Sequence, residues 1–99
     1  MASRLRFHPE VASDLREAID FYDEISFGLG NRFRQVVDAG FDFIEANPKI
    51  CPTVFDDVRF STLRRFPYLI LYRVLDDAVT ILGVFHGASD PERWRARAR

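Results

Sequence analysis

An α+β fold of order β-α-α-β-β-β, with a mainly antiparallel sheet carrying a helical hairpin on one face, is what this sequence predicts, and three observations predict it. Two stretches in the first half repeat apolar residues at helical spacing on either side of Gly28-Leu29-Gly30. Three apolar runs of strand length fill the second half, the last two divided only by Asp76-Asp77. The chain has 99 residues, which predicts one domain over 1–99 with a modest core, since so short a chain buries only about 60 to 65% of the surface it exposes when unfolded.

Arg4-Leu5-Arg6-Phe7 alternates polar and apolar side chains at the period of a strand. His8-Pro9-Glu10 then opens a helix: Pro9 suits the first turn, where a missing N–H loses no partner, and Glu10 favours the positive end of the helix dipole. Val11, Leu15, Ile19 and Tyr22 follow at spacings of four, four and three, which puts them on one face. Phe21 and Ile25 widen that stripe, while Asp14, Glu17, Asp20 and Asp23 leave the other side acidic. Asn31 is the expected cap of the second helix. Phe33, Val36, Val37, Gly40, Phe41 and Ile44 carry its apolar face until Asn47-Pro48 stops it. Gly40 in mid-helix costs about 1 kcal/mol relative to alanine, a cost that close contact between two antiparallel helices would explain.

After a loop through Cys51-Pro52, strands are expected at 58–63, 68–75 and 79–85. The short turn at Asp76-Asp77 predicts that the last two pair as an antiparallel hairpin. Both are apolar on two faces, as expected for central strands with the helix pair covering one side. Residues 93–99 read as a short tail.

Composition removes several classes of function. A hydrophobic content of 47% and a charged content of 29% exclude a disordered chain. The single cysteine, Cys51, has no internal disulfide partner, so the fold does not depend on an oxidising compartment. The opening residues contain no apolar segment of a secretory signal, and no run approaches the roughly 18 apolar residues of a membrane span. The expected location is cytoplasmic, with no membrane partner. A net charge of −1 hides an asymmetry: residues 1–58 carry six basic and eleven acidic side chains, residues 59–99 eight basic and four acidic. The second half is therefore the expected anion-facing or acid-partner-facing half, unless its arginines only solvate strand edges and the tail.

A metal site needs several converging ligands, and His8, His86 and Cys51 have no ligand-like spacing. No metal, cofactor or catalytic residue is assigned. Cys51 and His86 could formally form a nucleophile pair, but Cys51 stands beside Pro52 in a loop without an orienting motif. Gly28 and Gly30 lack the further glycine and lysine of a phosphate loop. The strongest candidates are Arg64-Arg65 with Tyr68, Tyr72, Arg73 and His86. On a regular strand Arg64 and Arg65 point to opposite faces and cannot both serve one pocket without a bulge. Stacking on aromatics or pairing with the acidic helices would equally account for these arginines, and a histidine ending an apolar strand is commonly structural.

Leu63-Arg64-Arg65-Phe66-Pro67-Tyr68-Leu69-Ile70-Leu71-Tyr72, followed by Phe85-His86-Gly87-Ala88-Ser89-Asp90-Pro91, resembles the ParE/RelE superfamily of bacterial toxins, the poison halves of type II toxin–antitoxin pairs, over nearly the whole chain. RelE-type members imply a ribosome-dependent messenger RNA endonuclease with basic groups on the sheet face and often a C-terminal tyrosine. Phe60, Thr62, Leu69 and Ser89 fall where those basic groups would stand, and Trp94 falls near the tyrosine. ParE-type members are similar in the Arg-Arg-Phe-Pro-Tyr turn and the His-Gly-x-x-Asp-Pro ending. Ala88-Ser89 departs from the arginine usual between that glycine and aspartate.

The ParE resemblance implies a plasmid-stabilisation toxin that binds and poisons DNA gyrase without catalysis of its own, with direct nucleic-acid binding expected only for the RelE-like alternative. A toxin-fold protein that has lost toxicity and serves only as a binding partner is the third reading. The expected target contacts are Arg64, Arg65, Tyr68, Arg73, His86, Asp90, Arg93 and Trp94, and the segment from His86 to Arg99 is the part most expected to touch the target. The implied partner is a cognate antitoxin, ParD-like or another small protein, whose flexible acidic tail folds onto the toxin. The helix-hairpin face around Phe21, Phe33 and Phe41 is its expected site, if those rings are not consumed by the core.

Overall fold

The computed structural model describes residues 4–99. The chain runs β1 (Leu5–Phe7), α1 (Val11–Ile25), α2 (Leu29–Ala46), β2 (Thr53–Phe55), β3 (Val58–Thr62), β4 (Tyr68–Leu75), β5 (Ala78–His86) and α3 (Pro91–Ala98). The five strands form one sheet in the order β1-β5-β4-β3-β2. β1 joins β5 in parallel and every other pairing is antiparallel. The α+β class, the helical hairpin and the β3-β4-β5 meander are therefore as expected, with two further elements: β2 at the sheet edge and α3 after β5.

Both additions have local causes. Thr53-Val54-Phe55 folds back on β3 through Asp56-Asp57, where Asp56 takes a left-handed φ of +47°, which aspartate tolerates better than most residues. Asp90 caps α3, its carboxylate accepting from the Glu92 N–H at 3.0 Å, and Pro91 occupies the first turn. The helix starts depart from expectation. Glu10 is the N-cap of α1, so Pro9 lies just outside it, and Gly28 at φ +81° rather than Asn31 is the N-cap of α2. Asn47 ends α2 as expected, its backbone N–H and side-chain amide both donating to the Phe43 carbonyl.

Two cores lie on opposite faces of the sheet. The larger joins Val11, Leu15, Ala18 and Tyr22 of α1 and Phe33, Val37, Phe41 and Ile44 of α2 to Ile70, Tyr72, Ile81 and Val84. The smaller joins Val58, Leu69, Leu71, Leu82 and Phe85 to Trp94 of α3. Strands apolar on both faces thus have a cover on each side, the second supplied by the segment read as a tail. Leu71 pairs with Gly83 and Tyr72 with Ile81, so Leu82 is the extra residue of a bulge. The bulge places Val84 with the hairpin core and Phe85 with the α3 core, against the alternation of an unbroken strand.

Gly40 does not mark helix–helix contact. A Cβ there would lie 2.7 Å from Ile70 Cδ1, so its close approach is to the sheet. Gly30 is the close helix–helix point, since a Cβ would lie 2.6 Å from the Ile19 carbonyl oxygen. Its N–H donates to Asp23 Oδ1 at 2.8 Å, which ties the start of α2 to α1.

Candidate functional site

The end of the sheet where β3 turns into β4 and β5 passes into α3 gathers Arg64, Arg65, Tyr68 and His86. Gly87 N–H donates to the Pro67 carbonyl at 2.8 Å, joining the two loops, and Tyr68 meets His86 edge-on with ring centroids 5.2 Å apart. Tyr68 packs on Tyr22 and Phe33, beside Phe66. Burial, and then the Glu17 carboxylate, push its phenol above the ordinary tyrosine pKa; burial and then Tyr68 do the same for Tyr22. Both hydroxyls hold their protons at neutral pH.

β3 ends at Thr62, so Arg64 and Arg65 lie in the loop and escape strand alternation. Arg65 takes φ +68°, a left-handed conformation that is uncommon for a residue with a long side chain. With that turn both arginines border one groove, of about 520 Å³, between the loop and the Val36, Gly40 and Phe43 side of α2. The condition under which they could not share a pocket, a regular strand through both, is therefore not met. A second groove of about 570 Å³ continues past Gln35, Val36 and Arg65 to Arg32, Leu29, Phe66 and Tyr22. Arg32, Arg64 and Arg65 are exposed and make no ion pair or hydrogen bond among the described residues.

His86 is exposed, and its Nδ1 accepts from the Ala88 N–H at 3.0 Å. An imidazole accepting at Nδ1 carries its proton on Nε2. Ser89 Oγ donates to the His86 carbonyl at 2.6 Å and accepts from Trp94 Nε1 at 2.9 Å, so Ala88-Ser89 forms a tight turn where a longer charged residue was expected.

Other candidates are placed elsewhere. Arg73 is toward the far end of β4, paired with Asp57 at 3.0 Å and donating to the Ala98 carbonyl at 3.1 Å. Trp94 is buried under α3, and Asp90 is spent as a helix cap. Arg93 lies over the Phe85 ring at 5.6 Å. Phe33 and Phe41 are buried in the core, so only Phe21 of the three rings named for antitoxin contact is open to solvent. The large rings of α2 fill the space between hairpin and sheet, which leaves them no surface to offer. Cys51 is buried beside Tyr72, whereas His86 faces Tyr68 at the start of β4, so no Cys–His pair forms.

The basic half of the sequence is consumed more than its count implies. Arg59 donates to the Lys49 and Cys51 carbonyls, Arg95 pairs with Glu92 and covers Phe55, and Arg97 is buried against Asp14. What sequence reasoning missed is the partnership of Arg64 and Arg65 with Arg32, because α2 approaches the loop only in the folded chain.

A helical hairpin laid on such a sheet is an architecture found among toxins of type II toxin–antitoxin systems. The sequence model described as ParE toxin of type II toxin-antitoxin system, parDE, matches residues 5–91, and the chain belongs to that family. It is 36% identical to Toxin ParE2 of Mycobacterium tuberculosis over 97 residues, covering 97% of this chain and 92% of that protein. In three dimensions it resembles the chromosomal ParDE system of P. aeruginosa with a TM-score of 0.73 and 24% identity, over 83% of this chain and 92% of that one. A mutant of the E. coli toxin RelE in the free state shares the fold at a TM-score of 0.70 and 19% identity, over 99% and 96% of the two chains. The same toxin in complex with an antitoxin RelBc peptide gives 0.64 and 20%, over 100% and 97%. Among the described residues no helix is long and apolar enough to cross a membrane.

Proposed function

We propose that this ParE-family toxin acts in the cytoplasm by docking onto DNA gyrase, without catalysis of its own, and is neutralised by a cognate antitoxin. The observation that carries the reading is the trio Arg32, Arg64 and Arg65, three guanidiniums without a partner among the described residues, beside an apolar groove. An acidic amphipathic segment fits it, with apolar side chains against Val36 and Phe43 and carboxylates on the arginines. Such a segment also covers the loop that borders Tyr68 and His86, so the antitoxin occludes part of the surface expected to meet the target.

Docking is favoured over RNA cleavage by the state of the two groups best placed for proton transfer. A ribonuclease needs a base for the 2′ hydroxyl proton. His86 holds a proton on Nε2 and uses Nδ1 within its own turn, and the Tyr68 phenol is held protonated. The test is a supercoiling assay with purified gyrase, the toxin and its antitoxin. The toxin is expected to inhibit supercoiling, the antitoxin to relieve it, and Arg64→Glu with Arg65→Glu to weaken both partnerships. Normal supercoiling with cleavage of ribosome-bound transcripts would overturn the reading for the RelE-like one, and neither effect would leave a binding partner only.

A further inference from the structure

We propose that the free toxin forms a symmetric dimer in which the tip of the helical hairpin of each copy enters the α2 groove of the other. The tip carries an exposed apolar ridge among the described residues: Phe21 is 53% exposed, Ile25 61% and Phe27 104%. A cluster of this kind on a small soluble domain marks a contact surface. Glu17, Phe21, Glu24 and Ile25 follow at helical spacing along one side of α1, so the ridge is edged by two exposed carboxylates, neither with an ion-pair partner among the described residues.

The groove has the opposite character, concave and apolar with Arg32 and Arg65 at its rim. Ridge and groove meet at Tyr22, whose ring touches Phe21 at 5.2 Å on one side and Phe66 of the groove at 5.0 Å on the other. Acidic ridge and basic groove are thus adjacent parts of one patch. A two-fold axis through such a patch sets each ridge against the partner's groove, so the contact closes at two copies instead of propagating. Charge complementarity, acid rim on basic rim, is what selects a second copy as the occupant.

The dimer covers the groove assigned above to the antitoxin, so antitoxin would dissolve it. That consequence rests on the antitoxin reading; the dimer itself does not.

The experiment is sedimentation equilibrium of the full chain at low salt over a wide concentration range. The expected mass rises with concentration from the 11.5 kDa of one chain toward twice that value and stops there. Two charge-reversed variants, Glu17→Arg with Glu24→Arg and Arg32→Glu with Arg65→Glu, are each expected to stay monomeric. Mixed one to one they recover the dimer, because each reversed ridge then meets a reversed groove. Phe27→Ser, at a position with no packing to lose, is expected to weaken association by roughly tenfold or more. Circular dichroism of each variant checks that it is folded. A wild-type chain that remains monomeric, a variant that dimerises like wild type, a mixture that stays monomeric, or mass that grows beyond two copies overturns the proposal. If the dimer holds but antitoxin leaves it intact, it is the antitoxin reading that falls.

Discussion

The free edge of β5 and the β3–β4 corner both rest on arginines, and they use them in opposite ways. β1 ends at Phe7 opposite Ile81, so among the described residues the edge of β5 beyond it has no strand neighbour. Arg97 and Asp14 take that place: Asp14 Oδ2 accepts from the Val84 N–H at 3.1 Å and Arg97 donates to the Leu82 carbonyl at 3.0 Å. The pair is closed by two contacts of 2.7 and 3.0 Å, with side chains only 9% and 7% exposed. Its hydrogen bond to Asp14, and less so the charges of Asp14 and Glu10, hold the Arg97 guanidinium above the ordinary arginine pKa against the effect of burial. At the corner Arg64 and Arg65 have no such partners among the described residues. A cation that completes the fold is unavailable to a partner, so the charge count of a segment does not locate its binding surface.

The largest expected effect breaks the edge. Arg97→Ala leaves Asp14 buried without its partner, and losing one member of a buried pair costs about 3 to 5 kcal/mol. Urea unfolding should show the loss as a lower midpoint with an unchanged slope, and a change below about 1 kcal/mol would mean that α3 is anchored elsewhere. Gly83→Ala tests the same place more gently. A Cβ there would lie 2.9 Å from Arg97 Nη1 and closer still to the Phe85 ring, and such crowding typically costs about 1 to 3 kcal/mol.

Alkaline titration compares the two regions through their tyrosines. Tyr22 and Tyr68 near the corner and Tyr72 in the core are all raised above the ordinary 10.0, burial being the first cause in each. A raised folded pKa means that the native state holds protons the unfolded chain would release. The stabilisation is complete below pH 10.0 and declines as pH rises through the folded values. Tyrosinate absorbance should therefore appear together with loss of near-ultraviolet ellipticity above pH 10.0, and early ionisation in a folded chain would contradict it.

The smallest effect on stability belongs to the corner. Arg64→Ala should change the unfolding free energy by less than about 0.5 kcal/mol, as exposed substitutions do. Arg65→Gly, which relieves the left-handed backbone at +68°, should leave the toxin as stable or up to about 1 kcal/mol more so. Calorimetry with the antitoxin should nevertheless show weaker binding for both. A large loss of stability without a loss of affinity would make the corner a structural element like the β5 edge.

The elements with strong periodicity were legible from the chain alone. Val11, Leu15 and Tyr22 fix the inner face of α1, Asn47-Pro48 stops α2, and Asp76-Asp77 sets the β4–β5 hairpin, because these signals act within a few residues. α3 had a local signal in Asp90-Pro91-Glu92, but its polar sequence has one buried aromatic ring, Trp94, and only the sheet beneath gives that ring a place. β2 is likewise held by pairing rather than by its own length.

What the sequence by itself determined is therefore the class of fold, the hairpin and the meander, since period and turn chemistry are properties of neighbouring residues. Tertiary structure alone decided which arginines stay without a partner among the described residues. Asp14 and Arg97 stand far apart in the chain and meet at an edge left open by a short β1, while Arg32 joins Arg64 and Arg65 because Gly40 lets α2 settle onto the sheet. Those outcomes depend on distances between remote segments, and no local pattern carries them.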